Sequence, residues 1–484
     1  MLGLGLAIGG LFAFTWFFGN VAGATTLQAA PVKTLALVNS INTVWVLVAA
    51  FLVFMMQAGF MMLEAGFART REAGNILAEC IVDTCLCGIL FWAVGFAFMF
   101  SHGNGWIGYH WFFLQNIPAT YETTGVSFLA FWLFQFAFAD TASTIVSGAM
   151  VGRTAFKGDL LYSLGVSGLI YPILGHWVWG PNGWLATLDT PFRDFAGSTV
   201  VHTVGGMLAL TGAIALGPRL GRVFKRDGGG LPPGHDMVIA AFGGLVLWFG
   251  WYGFNPGSTL SALDFNGIGR VATNTTLAAC AGGLIAMFMV FPRSKKWDIG
   301  ITTNGFLAGL VAITAPCYWV SPFGAAVIGG IAGIVCVLAI DFIEWIRVDD
   351  PIGAVAVHGF AGIWGTLSLG LFATGSYGLP GQLGSDRSLR VTGLFYGGGG
   401  KQLVAQITGS AVMTAATLAA GFALMYTVKA FGQLRISEEG ELEGLDIHDH
   451  GAPAYHPETA YTGWSTTGGT GATVAPPVLT GSAE

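Results

Sequence analysis

Eleven mostly apolar stretches dominate the chain after residue 40, at 43–67, 74–100, 125–150, 161–178, 197–216, 237–256, 271–291, 302–318, 322–345, 352–373 and 402–428. A helix crosses the bilayer core with about 20 such residues, and in hydrocarbon the backbone has to satisfy its own N–H and C=O groups. The sequence therefore predicts an all-α integral membrane protein with eleven transmembrane helices. Only 10% of the residues are Asp, Glu, Lys or Arg, against roughly 25% in soluble domains, which excludes a soluble enzyme. A net charge of −6 offers no basic footprint for nucleic acid. The 74 glycines follow no three-residue period and suit close helix packing. Cys80, Cys85, Cys87, Cys280, Cys317 and Cys336 all lie within or beside apolar runs and read as small core residues. Neither a disulfide framework nor a metal site is indicated, and no cofactor is implied.

Short cytoplasmic loops retain Lys and Arg. Fourteen of the 20, from Arg69 and Arg71 to Lys429 and Arg435, fall on one side of the spans; Arg193, Arg270, Arg387, Arg390 and Lys401 fall on the other. With eleven spans this places the start of the first outside and the end of the chain in the cytoplasm, as in a multi-pass protein of a bacterial inner (plasma) membrane. Leu2 to Phe18 form one more apolar run, followed by small residues at 21–24 and at Ala29-Ala30. Residues 1–30 read as a cleaved signal peptide; the alternative, an additional span, contradicts the distribution of positive charge. Residues 431–484 form a polar tail, acidic at Glu438 to Glu443 and then rich in Gly, Ser, Thr and Pro from Gly463, where disorder is expected. The tail is too short for a folded output domain. Lys225 to His235, with Gly228-Gly229-Gly230 and Pro232-Pro233, reads as a linker between two halves.

An internal repeat marks the centre. Asp194-Phe-Ala-Gly197-Ser-Thr-Val-Val201-His202 matches Asp350-Pro-Ile-Gly353-Ala-Val-Ala-Val357-His358 in Asp, Gly, Val and His at equal offsets. Span five starts outside and span ten inside, so the motif runs in opposite directions, as in transporters built of inverted repeats. Two inverted five-helix repeats, 43–217 and 237–374, plus a C-terminal eleventh helix at 402–428, follow from this. Each His lies eight residues after its Asp, about 12 Å deeper along a helix and near the bilayer middle. Ionisable residues there are costly and face a bundle interior or a pathway. Neutral imidazole donates one hydrogen bond and accepts another, so His202 and His358 suit the lining of a pore for a small, neutral, hydrogen-bonding molecule.

These residues resemble the Amt family of ammonium transporters, within the Amt/Rh superfamily, over positions 40 to 457. The resemblance rests on Asp194-Phe-Ala-Gly-Ser-Thr-Val-Val-His202, Phe134-Gln-Phe-Ala-Phe138, Trp251-Tyr-Gly-Phe254-Asn-Pro-Gly-Ser258, Val348-Asp-Asp-Pro351 with Val357-His358-Gly359, and Gly444-Leu-Asp-Ile-His-Asp-His450-Gly. It implies a homotrimer embedded in lipid, one pore per subunit, with twin histidines at His202 and His358. Trp179 and Ser258 match the outer vestibule, where an indole face attracts a cation and a hydroxyl accepts an ammonium N–H. Phe138 and Phe254 match the stacked phenyl gate, with Phe134 and Trp248 as further candidates for its wall. Asp194 matches the aspartate near the vestibule, either as a cap on span five, as a source of negative potential, or as both; Asp349 and Asp350 are expected to cap span ten. Glu64, Glu79, Asp83 and Asp140 lie within spans and need partners; Glu64 and Glu79 lie near the inner boundary, and Asp140 has no evident role.

The resemblance further implies that NH4+ gathers at Trp179 and Ser258, loses a proton near Phe138 and Phe254, and passes as NH3 along the histidines, a route closed to potassium. Whether the proton follows separately through the histidines stays open. An electroneutral ammonia gas channel and an ammonium sensor are the competing readings. The tail from Glu438 to His456 is expected either to meet a PII-type signalling protein or to be a solvated end.

Overall fold

The computed structural model describes residues 34–386 and 389–455. The expected signal peptide at 1–30 and the expected disorder from Gly463 onward lie outside these residues. The helices in chain order are α1 (Thr34–Phe67), α2 (Thr70–Phe100), α3 (Phe128–Gly148), and α4, whose segments Phe156–Gly165, Val166–Ile170 and Tyr171–Trp179 follow without interruption. Then come α5 (Ser198–Leu216), α6 (Met237–Gly257), α7 (Phe265–Ser294), α8 (Ile299–Thr314), α9 (Pro322–Trp345), α10 (Val355–Phe372) and α11 (Lys401–Ala430). Two short helices, α12 (Glu438–Glu443) and α13 (Leu445–His450), follow, and a small antiparallel hairpin, β1 (Leu379–Gly381) with β2 (Gly384–Asp386), joins α10 to α11. Among the described residues nine helices are long and apolar enough to cross a membrane; α8 is apolar but shorter, at 16 residues.

The helices lie close to the apolar stretches of the sequence, with one clear difference. The eighth stretch, expected to run to residue 318, ends as a helix at Thr314. Pro316 has no N–H to donate to the preceding turn, so the helical hydrogen-bond ladder is interrupted there. The freed Ala315 N–H donates to the Ser198 hydroxyl at 2.7 Å, which ties the end of α8 to the start of α5. The cysteines are all free, but only Cys80, Cys87, Cys317 and Cys336 are buried. Cys85 and Cys280 face outward, because an α-helix crossing an apolar medium carries apolar residues all round and an apolar run alone does not locate its packed side.

The repeat takes the same local form twice. Gly197 (φ +118°) and Gly353 (φ +82°) sit in a left-handed turn that suits glycine. A six-residue π-helical turn, Ser198–Thr203 or Val355–Phe360, then carries the histidine. The two helices pack in opposite directions. A Cβ on Gly206 would stand 2.2 Å from the Gly359 nitrogen, and one on Gly362 would stand 2.5 Å from the Ser198 carbonyl oxygen and 2.6 Å from the Thr203 hydroxyl. Gly206 and Gly362 lie at equivalent positions, four residues after each histidine, so small residues let α5 and α10 cross at the level where the two imidazoles meet.

Candidate functional site

The site is built around the starts of α5 and α10. The Asp194 carboxylate accepts from the backbone N–H groups of Gly197, Ser198, Thr199 and Val200 at 2.8–3.0 Å. Asp350 accepts from Gly353, Ala354 and Val355 at 2.8–3.1 Å. A helix start leaves these donors without intrahelical partners and favours negative charge. Burial raises both carboxyls, Asp350 to about 6, against the downward pull of those N–H groups.

Asp349 does not cap α10. It binds Arg219 through two bonds at 2.8 and 2.9 Å and receives Arg222 at 3.2 Å. Its side chain lies where the loop before α10 meets the loop after α5, so it reaches across to guanidinium groups rather than along its own chain. Burial alone would raise this carboxyl, but the Arg219 bonds and the Arg153 and Arg219 charges outweigh burial and hold it well below the usual carboxylate range. Arg153, fully buried, donates to the carbonyls of Val151, Gly217 and Asp349. This end of the bundle, where Arg69, Arg153, Arg219 and Arg222 gather, is the basic face; the opposite end, with Trp179 and Asp194, is the tryptophan face.

A file of aromatic side chains leads inward from the tryptophan face. A cavity of about 180 Å³ is lined by Trp179, Ser258, Phe134, Phe138, Gln135 and Phe195, among others. Trp179 is fixed by its indole N–H, which donates to the Asp194 carbonyl at 2.8 Å. The Ser258 hydroxyl donates to the Phe254 carbonyl at 2.9 Å, which leaves its lone pairs free to accept. The Asp194 side chain is 6% exposed and does not line the cavity. Phe138 and Phe254 stack with centroids 3.9 Å apart and planes at 18°, closing the floor. Phe134 packs on Phe138 at 4.6 Å. Trp248 lies elsewhere, against Phe306 at 5.4 Å; six residues before Phe254 on the same helix, it projects from a different side.

Beyond the phenyl pair, His202 stacks on Phe254 (5.4 Å, 25°) and on Trp251 (5.0 Å, 24°). Its Nδ1 lies 3.2 Å from Nδ1 of His358. Such a bond needs one nitrogen to donate and the other to accept, so the pair shares one proton and its two Nε2 atoms differ in role. His202 is wholly buried and His358 is 5% exposed; His202 Nε2 has no hydrogen-bond partner among the described residues. Past His358 comes a cavity of about 10 Å³ lined by Phe60, Glu64, Leu307, Val357 and Gly353, then one of about 450 Å³ that opens at the basic face and shares Asn304, Ile352 and Gly353 with it.

The structure thus gathers Trp179, Ser258, Phe138, Phe254, His202 and His358 into one line, with Asp194 supporting its first turn. Two contributors were not singled out from the sequence. Trp251 forms a wall for His202, yet was visible only as part of a motif. Asn304 donates to the Ile352 carbonyl at 2.9 Å and lies between the two inner cavities; nothing in the pattern of α8 marks it. Asp140 is wholly buried, faced by Thr84 of α2 and Gln57 of α1. Glu79 accepts from the Asn75 side chain at 2.8 Å, and Glu64 from Ser147 at 3.3 Å.

The tail between residues 437 and 455 is docked through a few buried residues while most of its side chains stay exposed. Glu441 accepts from the Leu220 N–H at 2.6 Å and pairs with Arg435 at 2.7 Å; Asp446 accepts from the Asn75 N–H at 2.8 Å; His450 contacts the Asn75 side chain at 2.9 Å. Glu441 and Asp446 are each 1% exposed. Their carboxylates complete backbone donors that the transmembrane body leaves unpaired.

A multi-pass bundle of apolar helices around a buried file of aromatic rings and histidines defines a membrane transport protein. The model of the Ammonium Transporter Family matches residues 44–455, and the chain belongs to that family. It is 45% identical over 427 residues to ammonium transporter Amt2 of Archaeoglobus fulgidus, covering 86% of this chain and 88% of the relative. It is 38% identical over 462 residues to a putative ammonium transporter of Synechocystis, covering 94% and 97%. Among solved structures it is similar to one titled a sensor Amt protein (36% identity, TM-score 0.77, covering 86% of this chain and 99% of the other). It is also similar to Mep2 of Saccharomyces cerevisiae (29% identity, TM-score 0.75, covering 83% and 88%). The matched family and the Archaeoglobus and Synechocystis relatives are named as ammonium transporters, a non-enzymatic family.

Proposed function

We propose that the chain recruits NH4+ in the cavity lined by Trp179 and Ser258, strips its proton at the Phe138–Phe254 pair, and conducts NH3 along His202 and His358, which also relay the proton separately. One observation carries this reading. The route narrows to stacked rings and a pair of buried imidazoles 3.2 Å apart, joined by no ion pair among the described residues. A hydrated ion finds no oxygen ligands there to replace its water, whereas NH3 can donate to one imidazole nitrogen and accept from another. Potassium has no proton to leave behind and stops at the phenyl pair.

The protein works as a homotrimer in a plasma membrane. Eleven spans, with α4 and α8 counted among them, place the tryptophan face outside and the basic face in the cytoplasm, as the excess of Lys and Arg favours. The docked tail then lies where a PII-type protein can reach it. Placing a fixed charge in the file tests the account: His202→Asp and His358→Glu, reconstituted in liposomes, should let potassium through alongside ammonium. Ammonium selectivity equal to wild type would overturn it. The similarity to a structure titled a sensor supports a second reading, ammonium binding that signals without transport; saturable binding with no flux would select it.

A further inference from the structure

Below His358 the wall of the pore carries a carboxylate. Glu64 of α1, 1% exposed, lines the cavity of about 10 Å³ together with His358, a space with room for about one water. Behind it a polar seam runs between α1 and α3. Ser147 donates to Glu64 Oε2 at 3.3 Å, Thr144 donates to the Gln57 side-chain oxygen at 3.0 Å, and Gln57 faces the carboxyl of Asp140. Gln57 and Glu64 are seven residues apart on α1, and Asp140, Thr144 and Ser147 are four and three apart on α3, so each set shares one side of its helix. The seam is not closed on itself. Gln57 Nε2 and both Asp140 oxygens are buried without hydrogen-bond partners among the described residues. None of the ion pairs found among those residues includes Glu64 or Asp140.

The titratable groups facing the seam from the neighbouring helices bring no compensating cation. Glu79, Cys80, Asp83 and Cys87 of α2 and Asp159 of α4, to which Tyr162 donates, are all acids or thiols. Burying two ionised carboxylates among these would be prohibitive without a cation or a proton. The described residues hold no group of three or more His, Cys, Asp or Glu suited to a metal ion, so the fitting ligand is the proton.

We propose that Glu64 is the proton carrier at the exit of the pore, with Asp140 behind it held as a carboxylic acid, an inference that rests on the transport reading above. A proton relayed to His358 passes through the single water to the Glu64 carboxylate. The resulting carboxylic acid then gives it to the NH3 that leaves the histidines: an O–H bond breaks, an N–H bond forms, and NH4+ enters the larger cavity. Asp140 keeps its own proton, since both its oxygens and Gln57 Nε2 are buried without hydrogen-bond partners among the described residues, so the membrane never holds both carboxylates charged.

The test compares wild type, Glu64→Gln and Asp140→Asn in the same liposomes, recording ammonium-driven current and ammonia-driven alkalinisation of the lumen in parallel. Glu64→Gln should lower the ratio of current to alkalinisation by about tenfold or more, the scale on which positioned proton carriers act, and Asp140→Asn should lower it less. An unchanged ratio, or equal loss of both signals, would assign Glu64 a packing role and overturn the proposal. Wild type that moves ammonia without current would overturn the proton relay itself. Infrared spectra of wild type and the two variants, recorded without ammonium, then judge the carboxyls independently. A protonated-carboxyl band missing from each variant supports proton binding at that residue, and bands identical in all three refute it.

Discussion

At the scale of single residues, the sharpest contrast is between the neighbouring aspartates of the second repeat. Asp350 folds back to cap its own helix, whereas Asp349 turns to Arg219 and Arg222. The sequence offers two adjacent carboxylates and no means of telling them apart, because the distinction depends on which one faces a loop 130 residues away. Removing one partner of such a buried pair costs about 3–5 kcal/mol, and Arg219→Ala should lower the thermal midpoint in detergent accordingly. The Asp349 carboxyl is held below its unfolded value, so its contribution is present above that value and is lost as pH falls through the folded one. The gap in melting temperature between wild type and Asp349→Asn should therefore persist from pH 7 to 5 and shrink below about pH 4; a gap that widens on acidification contradicts the clamp. The phenyl pair makes a second residue-scale prediction. Phe254→Ala removes one of two stacked rings and opens the floor of the tryptophan-face cavity, so potassium uptake into liposomes should rise well above wild type. Uptake unchanged would mean that the block lies at the histidines alone.

At the scale of elements, length and apolarity made the helices legible, because a backbone in hydrocarbon has little alternative. Pro316 ended α8 before the apolar run did. The π-helical turns at Ser198–Thr203 and Val355–Phe360 left no trace in the pattern, since one extra residue in a turn changes which side chains share a face without changing composition. The repeated Asp, Gly and His did show that both elements were alike. Trp248 was assigned to the wrong wall for a related reason: in a helix apolar on every side, periodicity does not say which side faces the pore. The crossing of α5 and α10 at Gly206 is the element on which the site depends most directly. Gly206→Val would press a side chain into the Gly359 backbone, from which even a Cβ stands 2.2 Å away. The variant should either fail to accumulate or, where it folds, lose ammonium flux by separating the imidazoles. Normal flux would show that the crossing tolerates a wider spacing.

At the scale of the whole molecule, two inverted halves bring a histidine from each side to one point and leave a cavity at either end of the line. The repeat supplies the centre of that line. The polar seam behind the pore escaped the sequence because its members come from α1 and α3 and acquire meaning only when those helices pack. The docked tail escaped it too, since acidic residues near a chain end look solvated until their backbone partners are in place. In the proposed mechanism the molecule as a whole passes ammonium and excludes potassium, with the proton between His202 and His358 at the middle of that task. The most direct measurement is the current across a supported membrane bearing the reconstituted protein after pulses of ammonium and of potassium, for wild type and the His202→Ala/His358→Ala double variant. The account predicts a saturating current with ammonium alone in wild type, and in the double variant either its loss or a potassium current; a double variant with wild-type ammonium current and continued exclusion of potassium would contradict it.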